Sequence, residues 1–247
     1  MRTALKWIFR LFLLLLAAAL LLILHTLWFK PAKPNWFYER VFMEYGIEDP
    51  QMLSSMRMLP GWMDWYSDDL TDQSLAHEKK MQAKLKQDLA TLQQYDRSSM
   101  NEADALNYDM LEYFLKMQAE GERFARHNYP LNQLFGIQNE FPTFMATQHP
   151  VASVADAENY LARLDKTPLM VDQVMEGLLA REKEGILPPT FVVEKVLKEM
   201  RAFVAAEPKQ NILYTSLAEK FTELKNGELS EAQQKLFLDK TETAIRD

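Results

Sequence analysis

The sequence predicts an all-α fold: an irregular multi-helix domain behind a single N-terminal transmembrane helix, with at most a short hairpin or extended segment near residues 127–141. Three observations predict it. Only 7 of the 247 residues are Gly. Downstream of Ser74, apolar residues recur mostly at intervals of three and four, the spacing of one helix face. A nineteen-residue apolar run at 11–29 has only His25 and Thr26 as polar interruptions. With 48% hydrophobic and 26% charged residues, the remainder has the composition of a globular chain.

The elements follow in order. At a helical rise of about 1.5 Å per residue the first run spans about 28 Å, close to a hydrocarbon core. Arg2, Lys6 and Arg10 precede it, so the positive-inside bias places the N-terminus in the cytoplasm. Everything after Lys30 then faces the periplasm, as a single-pass protein of a bacterial inner membrane with residues 11–29 in contact with lipid. A cleaved signal peptide is the rival reading, but Ala17-Ala18-Ala19 lie mid-run and His25-Thr26-Leu27-Trp28-Phe29 end it, without a small-residue cleavage site. Residues 1–30 are therefore assigned as a signal anchor and 31–247 as a periplasm-facing helical domain. Trp7 at one end, and Trp28, Trp36, Phe37 and Tyr38 at the other, suit aromatic belts, although Trp36 and Phe37 fit the core of the first soluble helix equally. Pro31 and Pro34 make a short stiff spacer.

Asn35 is expected to cap a helix that starts at Trp36 and stops at Gly46. Residues 49–72 read as a short helix plus an irregular loop. A helix of about six turns follows from Ser74, with Leu75, Met81, Leu85, Leu89, Leu92 and Tyr95 on one side. Asn101 and Asp104 open the next, whose inward face is expected to be Leu106, Met110, Tyr113, Phe114 and Met117, ending at Gly121. Between 126 and 150 the helical period is lost among Pro130, Gly136, Pro142 and Pro150; an extended segment or hairpin is expected there, with at most a helical turn near Thr143. Ser153 and Asp156 form a variant capping box, and Thr167 precedes a first-turn Pro168. Pro188-Pro189-Thr190 starts a helix with Val192, Val193, Val196, Leu197, Met200 and Phe203 facing inward. Helices at 212–225, ending near Gly227, and from Ser230-Glu231-Ala232-Gln233 complete the chain. The last is still in progress at Asp247, so the sequence reads as a truncated product or fragment.

Composition excludes several functions. Without Cys there are no disulfides, thiolate metal sites or Cys nucleophiles. Of 28 bases, four lie before Pro31, leaving 24 against 35 acids, a net of −11, which excludes a nucleic-acid partner for the soluble part. His77-Glu78 opening a helix suggests a zinc peptidase, but the chemistry needs a second His four residues on, and position 81 is Met. His127 and His149, each near a Pro-containing turn, could hold a metal only with Asp156 or Glu140 at a distance that sequence does not fix. Asp64, Asp68, Asp69 and Asp72 resemble a calcium loop in charge alone, lacking the required Gly and terminal Glu. Met43, Met52, Met56, Met58 and Met63 suit either an apolar groove or, more readily, loop-covered core. No catalytic, cofactor-binding or metal residue is assigned.

The stretch 129–193 resembles a known family. It carries Tyr129-Pro130-Leu131-Asn132-Gln133 and Gly136, then His149-Pro150, Asp156-Ala157-Glu158-Asn159-Tyr160-Leu161-Ala162-Arg163-Leu164, Gly185-Ile186-Leu187-Pro188-Pro189 and Val192-Val193. Asp72-Gln73-Ser74 and Asn107-Tyr108-Asp109 fit upstream. The order resembles the bacterial family 885 of domains of unknown function, whose members are secreted or membrane-anchored, helical and similar to zinc metallopeptidases. The resemblance covers 35–247 and implies the amino-terminal half of a protein roughly twice as long. The family's metal motif, His-Glu with a following Gly-His, lies in the other half, so zinc is implied for full-length relatives and no cofactor for this chain. The expectation is a non-catalytic half of a zinc-dependent hydrolase, meeting a peptide-like substrate or a partner chain that supplies the missing half. The alternative is an anchored helical module that binds a partner without enzymatic activity.

Overall fold

A computed structural model describes residues 2–57, 59, 61–224 and 228–246. Met58, Lys225, Gly227 and Asp247, each used in the sequence reading, lie outside the described residues. Among the described residues the fold is all-helical, without strands: α1 (Arg2–Trp28), α2 (Pro34–Ile47), α3 (Pro50–Met56), α4 (Leu75–Leu92), α5 (Glu102–Gly121), α6 (Ile137–Thr147), α7 (Val154–Asp165), α8 (Thr167–Lys183), α9 (Thr190–Ala205), α10 (Ile212–Glu223) and α11 (Glu231–Arg246), with four short 3-10 turns between them. Within α1, Lys6–Trp28 is long and apolar enough to cross a membrane, with a mean hydropathy of 2.7 and none of it buried.

The residues gather into two compact units. One comprises 1–45 and 81–122, the other 46–80 and 123–247. The core of the first unit is Phe37, Val41, Leu92, Tyr108 and Leu115. Asn101 caps α5 by accepting from the Asp104 N–H, as its spacing predicts. The buried face of α5 is nevertheless Ala105, Tyr108 and Leu115, while the predicted face is exposed: Leu106, Met110, Tyr113, Phe114 and Met117 are each more than half accessible. The helix has apolar residues on two sides, and periodicity alone ranks the wrong one first. Asn35 likewise lies inside α2, because Pro34 supplies the first-turn residue, and α2 runs one residue past Gly46.

The second unit has a larger core, including Phe141, Phe144, Met145, Tyr160, Leu164, Leu213, Leu217, Phe221 and Phe237. The stretch 126–150, where helical period is lost, is about half helix: a 3-10 turn covers Glu122–His127 and α6 spans Ile137–Thr147, leaving 128–136 and 148–150 irregular. Pro142 sits inside α6 and removes one ladder bond, which Phe141, Phe144 and Met145 offset by burying that face. Asn132 organises the turn, accepting from the Leu134 and Phe135 N–H groups at 2.9 and 2.7 Å. Gly136 is required there, since a Cβ would lie 2.5 Å from the Asn132 backbone N.

Local signals set most other boundaries. The Ser153 hydroxyl accepts from the Asp156 N–H, and the Asp156 carboxylate accepts from the Ala152 N–H at 2.8 Å. Ser230 and Gln233 make the predicted capping box. Gly185, at φ +74, ends α8 with the Ile186 and Gly185 N–H groups bonding back to the Arg181 and Glu182 carbonyls. Thr167 does not cap α8; its hydroxyl donates to the Arg163 carbonyl, so α7 passes almost directly into α8.

Candidate functional site

The residues singled out for metal chemistry have other roles. His149 is 2% exposed. Arg163 donates to its Nδ1 at 2.7 Å, and its Nε2 lies 3.1 Å from the Asp156 carbonyl. A guanidinium only donates and a carbonyl only accepts, so His149 is neutral, with its proton on Nε2 and both nitrogens engaged. Burial, and then the positive charge of Arg163, pushes its pKa down to about 3. His127 is exposed, against the edge of Phe124, and Glu140 is exposed on α6. His77 lies in the first turn of α4, with Nδ1 3.5 Å from Glu48, whose carboxylate also pairs with Lys80. No three His, Asp or Glu side chains converge as a metal site among the described residues. These donors do not fit a zinc ion.

The acidic cluster organises its own loop. Asp64 accepts from the Ser67 N–H, Asp69 from the Leu70 N–H and Asp72 from the Ser74 N–H, while Asp68 and Asp69 pair with Lys166. Burial opposes ionisation of Asp72, but the two hydrogen bonds from Ser74, with His77 and Lys80 nearby, hold its pKa below the usual carboxylate range. Met52 and Met63 are half-buried and Met56 is 49% exposed, so none of these three is the loop-covered core expected of them.

The residue that ties this loop down is Arg163, which periodicity overlooked. It is fully buried on α7. It donates to the Ser54 hydroxyl at 2.6 Å, the Asp69 carbonyl at 2.8 Å, the Pro50 and Tyr66 carbonyls, and His149, and it stacks over Phe144. A charged residue three positions after Tyr160, within an otherwise apolar stripe, was the available signal. Burial lowers its pKa to about 10, against the pull of Asp64, Asp68 and Asp69.

The opening suited to a ligand lies elsewhere in the same unit. A trough of about 790 Å³ runs among α6, α8, α9, α10 and α11. Its floor is Phe141, Leu164, Met170, Val174 and Leu213, all buried. Its wall is unusually bare: of the sixteen residues of α9 only Val192 and Val196 are buried. On the lining, Met200 and Phe203 are each 38% exposed, Val204 81% and Met175 on α8 49%; Val193 and Leu197, also expected inward, lie off the lining and are 38% and 42% exposed. Asp165, Asp172 and Glu199 lie on the lining, which includes no Lys or Arg. Such a trough accepts an apolar surface edged with positive charge.

A model of the family described as "Bacterial protein of unknown function (DUF885)" matches residues 51–247. The chain belongs to the DUF885 family. Among solved structures it is similar to that of a presumed lipoprotein from Colwellia psychrerythraea, with a TM-score of 0.71 at 16% identity over 85% of this chain. At that identity the likeness shows the fold alone. The chain spans 38% of that protein's length. No curated protein matches it in sequence. The family-like residues quoted above are chiefly structural in this DUF885 chain: Asn132 and Gly136 shape a turn, Asp156 caps α7, and His149 with Arg163 clasps the loop before α4.

Proposed function

We propose that this DUF885 chain is a membrane-anchored, periplasm-facing helical module that forms one non-catalytic wall of a larger metallopeptidase-like assembly. Its trough seats an amphipathic helix from further polypeptide, either continuous with the chain or supplied by a partner. The observation that carries this reading is the trough between α8 and α9, with apolar side chains that the chain leaves uncovered. The 38% share of the similar Colwellia protein supports it, since that protein has ample additional chain. The acidic lining selects a helix whose apolar face is bordered by Lys or Arg. The metal chemistry belongs to residues outside this chain.

The binding part is tested with a defined probe, an eighteen-residue helix of Leu on one face and Lys on the other. Saturable binding that raises the thermal midpoint, lost in Met175→Glu and Phe203→Glu, supports the reading. Equal binding of a Leu/Glu helix, or binding untouched by both substitutions, overturns it. The peptidase part is tested by sequencing the DNA after codon 247. A frame encoding His-Glu with a following Gly-His supports it; if no such frame is found there, the split-peptidase reading falls.

A further inference from the structure

The end of α1 is not a loose tether. A helix leaves its last four carbonyls without internal partners, and at the edge of a hydrocarbon layer little water is present to satisfy them. In the first unit Arg40, on α2, reaches back to two of them and to the Phe29 carbonyl just beyond the helix. Its Nη1 donates to the Phe29 and Thr26 carbonyls at 2.7 and 2.9 Å, with Leu27 at 3.5 Å. The Arg40 side chain is only 9% exposed, lies over the Phe37 ring, and has Glu44 at 3.8 Å. A cation at a helix C-terminus is favoured by the helix dipole, and more so where water is scarce. Two further contacts fasten the junction: the Tyr95 hydroxyl donates to the Pro31 carbonyl at 2.7 Å, and Lys30 donates to the Gln94 carbonyl. Pro31 itself is fully buried.

Around this latch the surface changes character. Trp28 and Phe29 are 69% and 65% exposed, continuous with the exposed apolar side of α1. Lys30 and Lys33 are exposed beside them, and Lys33 lies over the ring of the half-buried Trp36. Aromatic rings interleaved with ammonium groups at the end of an apolar helix match the headgroup layer, where rings sit among carbonyl and glycerol groups and ammonium groups meet phosphates.

We propose that the first unit is seated on the lipid headgroup layer through Trp28, Phe29, Lys30, Lys33 and Trp36, with Arg40 latching α2 to the spanning helix so that both move as one body. The inference rests on α1 being a membrane anchor, and the test separates the two. The absence of Cys allows nitroxide labels to be placed singly or in pairs on the full chain in phosphatidylcholine–phosphatidylglycerol vesicles. An alkaline carbonate wash that releases the chain overturns the anchor reading. With the chain retained, labels at Leu20→Cys and Glu39→Cys are expected to give one narrow distance distribution. Arg40→Ala should broaden it about twofold, and Tyr95→Phe should broaden it less. A broad distribution in the unsubstituted pair, or the same width in both variants, overturns the latch. A label at Ala32→Cys is expected to be several-fold less accessible to a water-soluble nickel chelate than one at Glu199→Cys; equal accessibility overturns the seating.

Discussion

Arg163 and Phe203 stand for two sides of the same unit that are finished differently. Around Arg163 the polar contacts come from within the chain: five acceptors converge on one guanidinium, His149 is held at both nitrogens, and Lys220 donates to the Met145 and His149 carbonyls at 2.6 and 2.7 Å. Around Phe203 the apolar stripe of α9 meets nothing on its outer side. The first side is closed by loop, helix and charge together and is a device for holding shape. The second has the composition of a core and the exposure of a surface, the combination that marks a site for a partner.

If the closed side is a clasp, cutting it should have the largest effect. Arg163→Ala is expected to cost about 3–5 kcal/mol in urea unfolding, because it strands buried acceptors as well as removing a charge. Arg163→Lys should recover little, since an ammonium cannot reach acceptors spread around a planar fork. Leu217→Ala, at a position that is 0% exposed, serves as the apolar counterpart and should cost about 2–5 kcal/mol. A cost for Arg163→Ala below about 1 kcal/mol would mean that the loop is held by its own Asp turns instead.

The pH dependence sharpens the same contrast. His149 titrates near 6.5 in an unfolded chain and at about 3 in the folded one, so between those values the unfolded state binds the extra proton. Stability is therefore complete above pH 6.5 and falls as pH drops from 6.5 toward 3, by about 1.4 kcal/mol per unit. From pH 6.5 to pH 5 the loss is about 2 kcal/mol. His149→Gln should flatten that part of the unfolding profile. An unchanged slope in the variant would show that the histidine is charged in the fold and that the clasp is assembled otherwise.

How much of this was legible in the sequence depended on whether the cause was local. Several caps were: Asn101, Ser153 and Ser230 each act within a few residues and each stands where its spacing put it, whereas Asn35 and Thr167 do not cap and α2 passes Gly46. The apolar helix α1 was legible because its length and composition are read directly from the run at 11–29. α6 was not, because Pro142 reads as a breaker and only the burial of Phe141, Phe144 and Met145 outweighs it. The face of α5 was not, since it carries apolar residues on two sides and tertiary contact decides between them. Arg163 escaped for the same reason, its five acceptors coming from segments about 100 residues upstream and from His149 nearby. The trough was half legible: periodicity named Val193, Leu197, Met200 and Phe203 as an apolar face, and the structure leaves that face partly exposed, with Met200 and Phe203 on the trough lining.

The smallest expected effect distinguishes an unfinished core from a working surface. A residue that packs well loses stability when truncated, whereas one that awaits a partner loses little until the partner is present. Val204→Ser and Phe203→Ser, at lining positions 81% and 38% exposed, should each change the unfolding free energy of the chain alone by no more than about 1 kcal/mol. The same substitutions should weaken binding of the Leu/Lys helix about tenfold or more, since a buried interface contact of this size is worth upwards of about 1.4 kcal/mol. Destabilisation approaching that of Leu217→Ala would instead make α9 part of the chain's own core. The trough would then be a packing defect, and the contrast between the two sides would disappear.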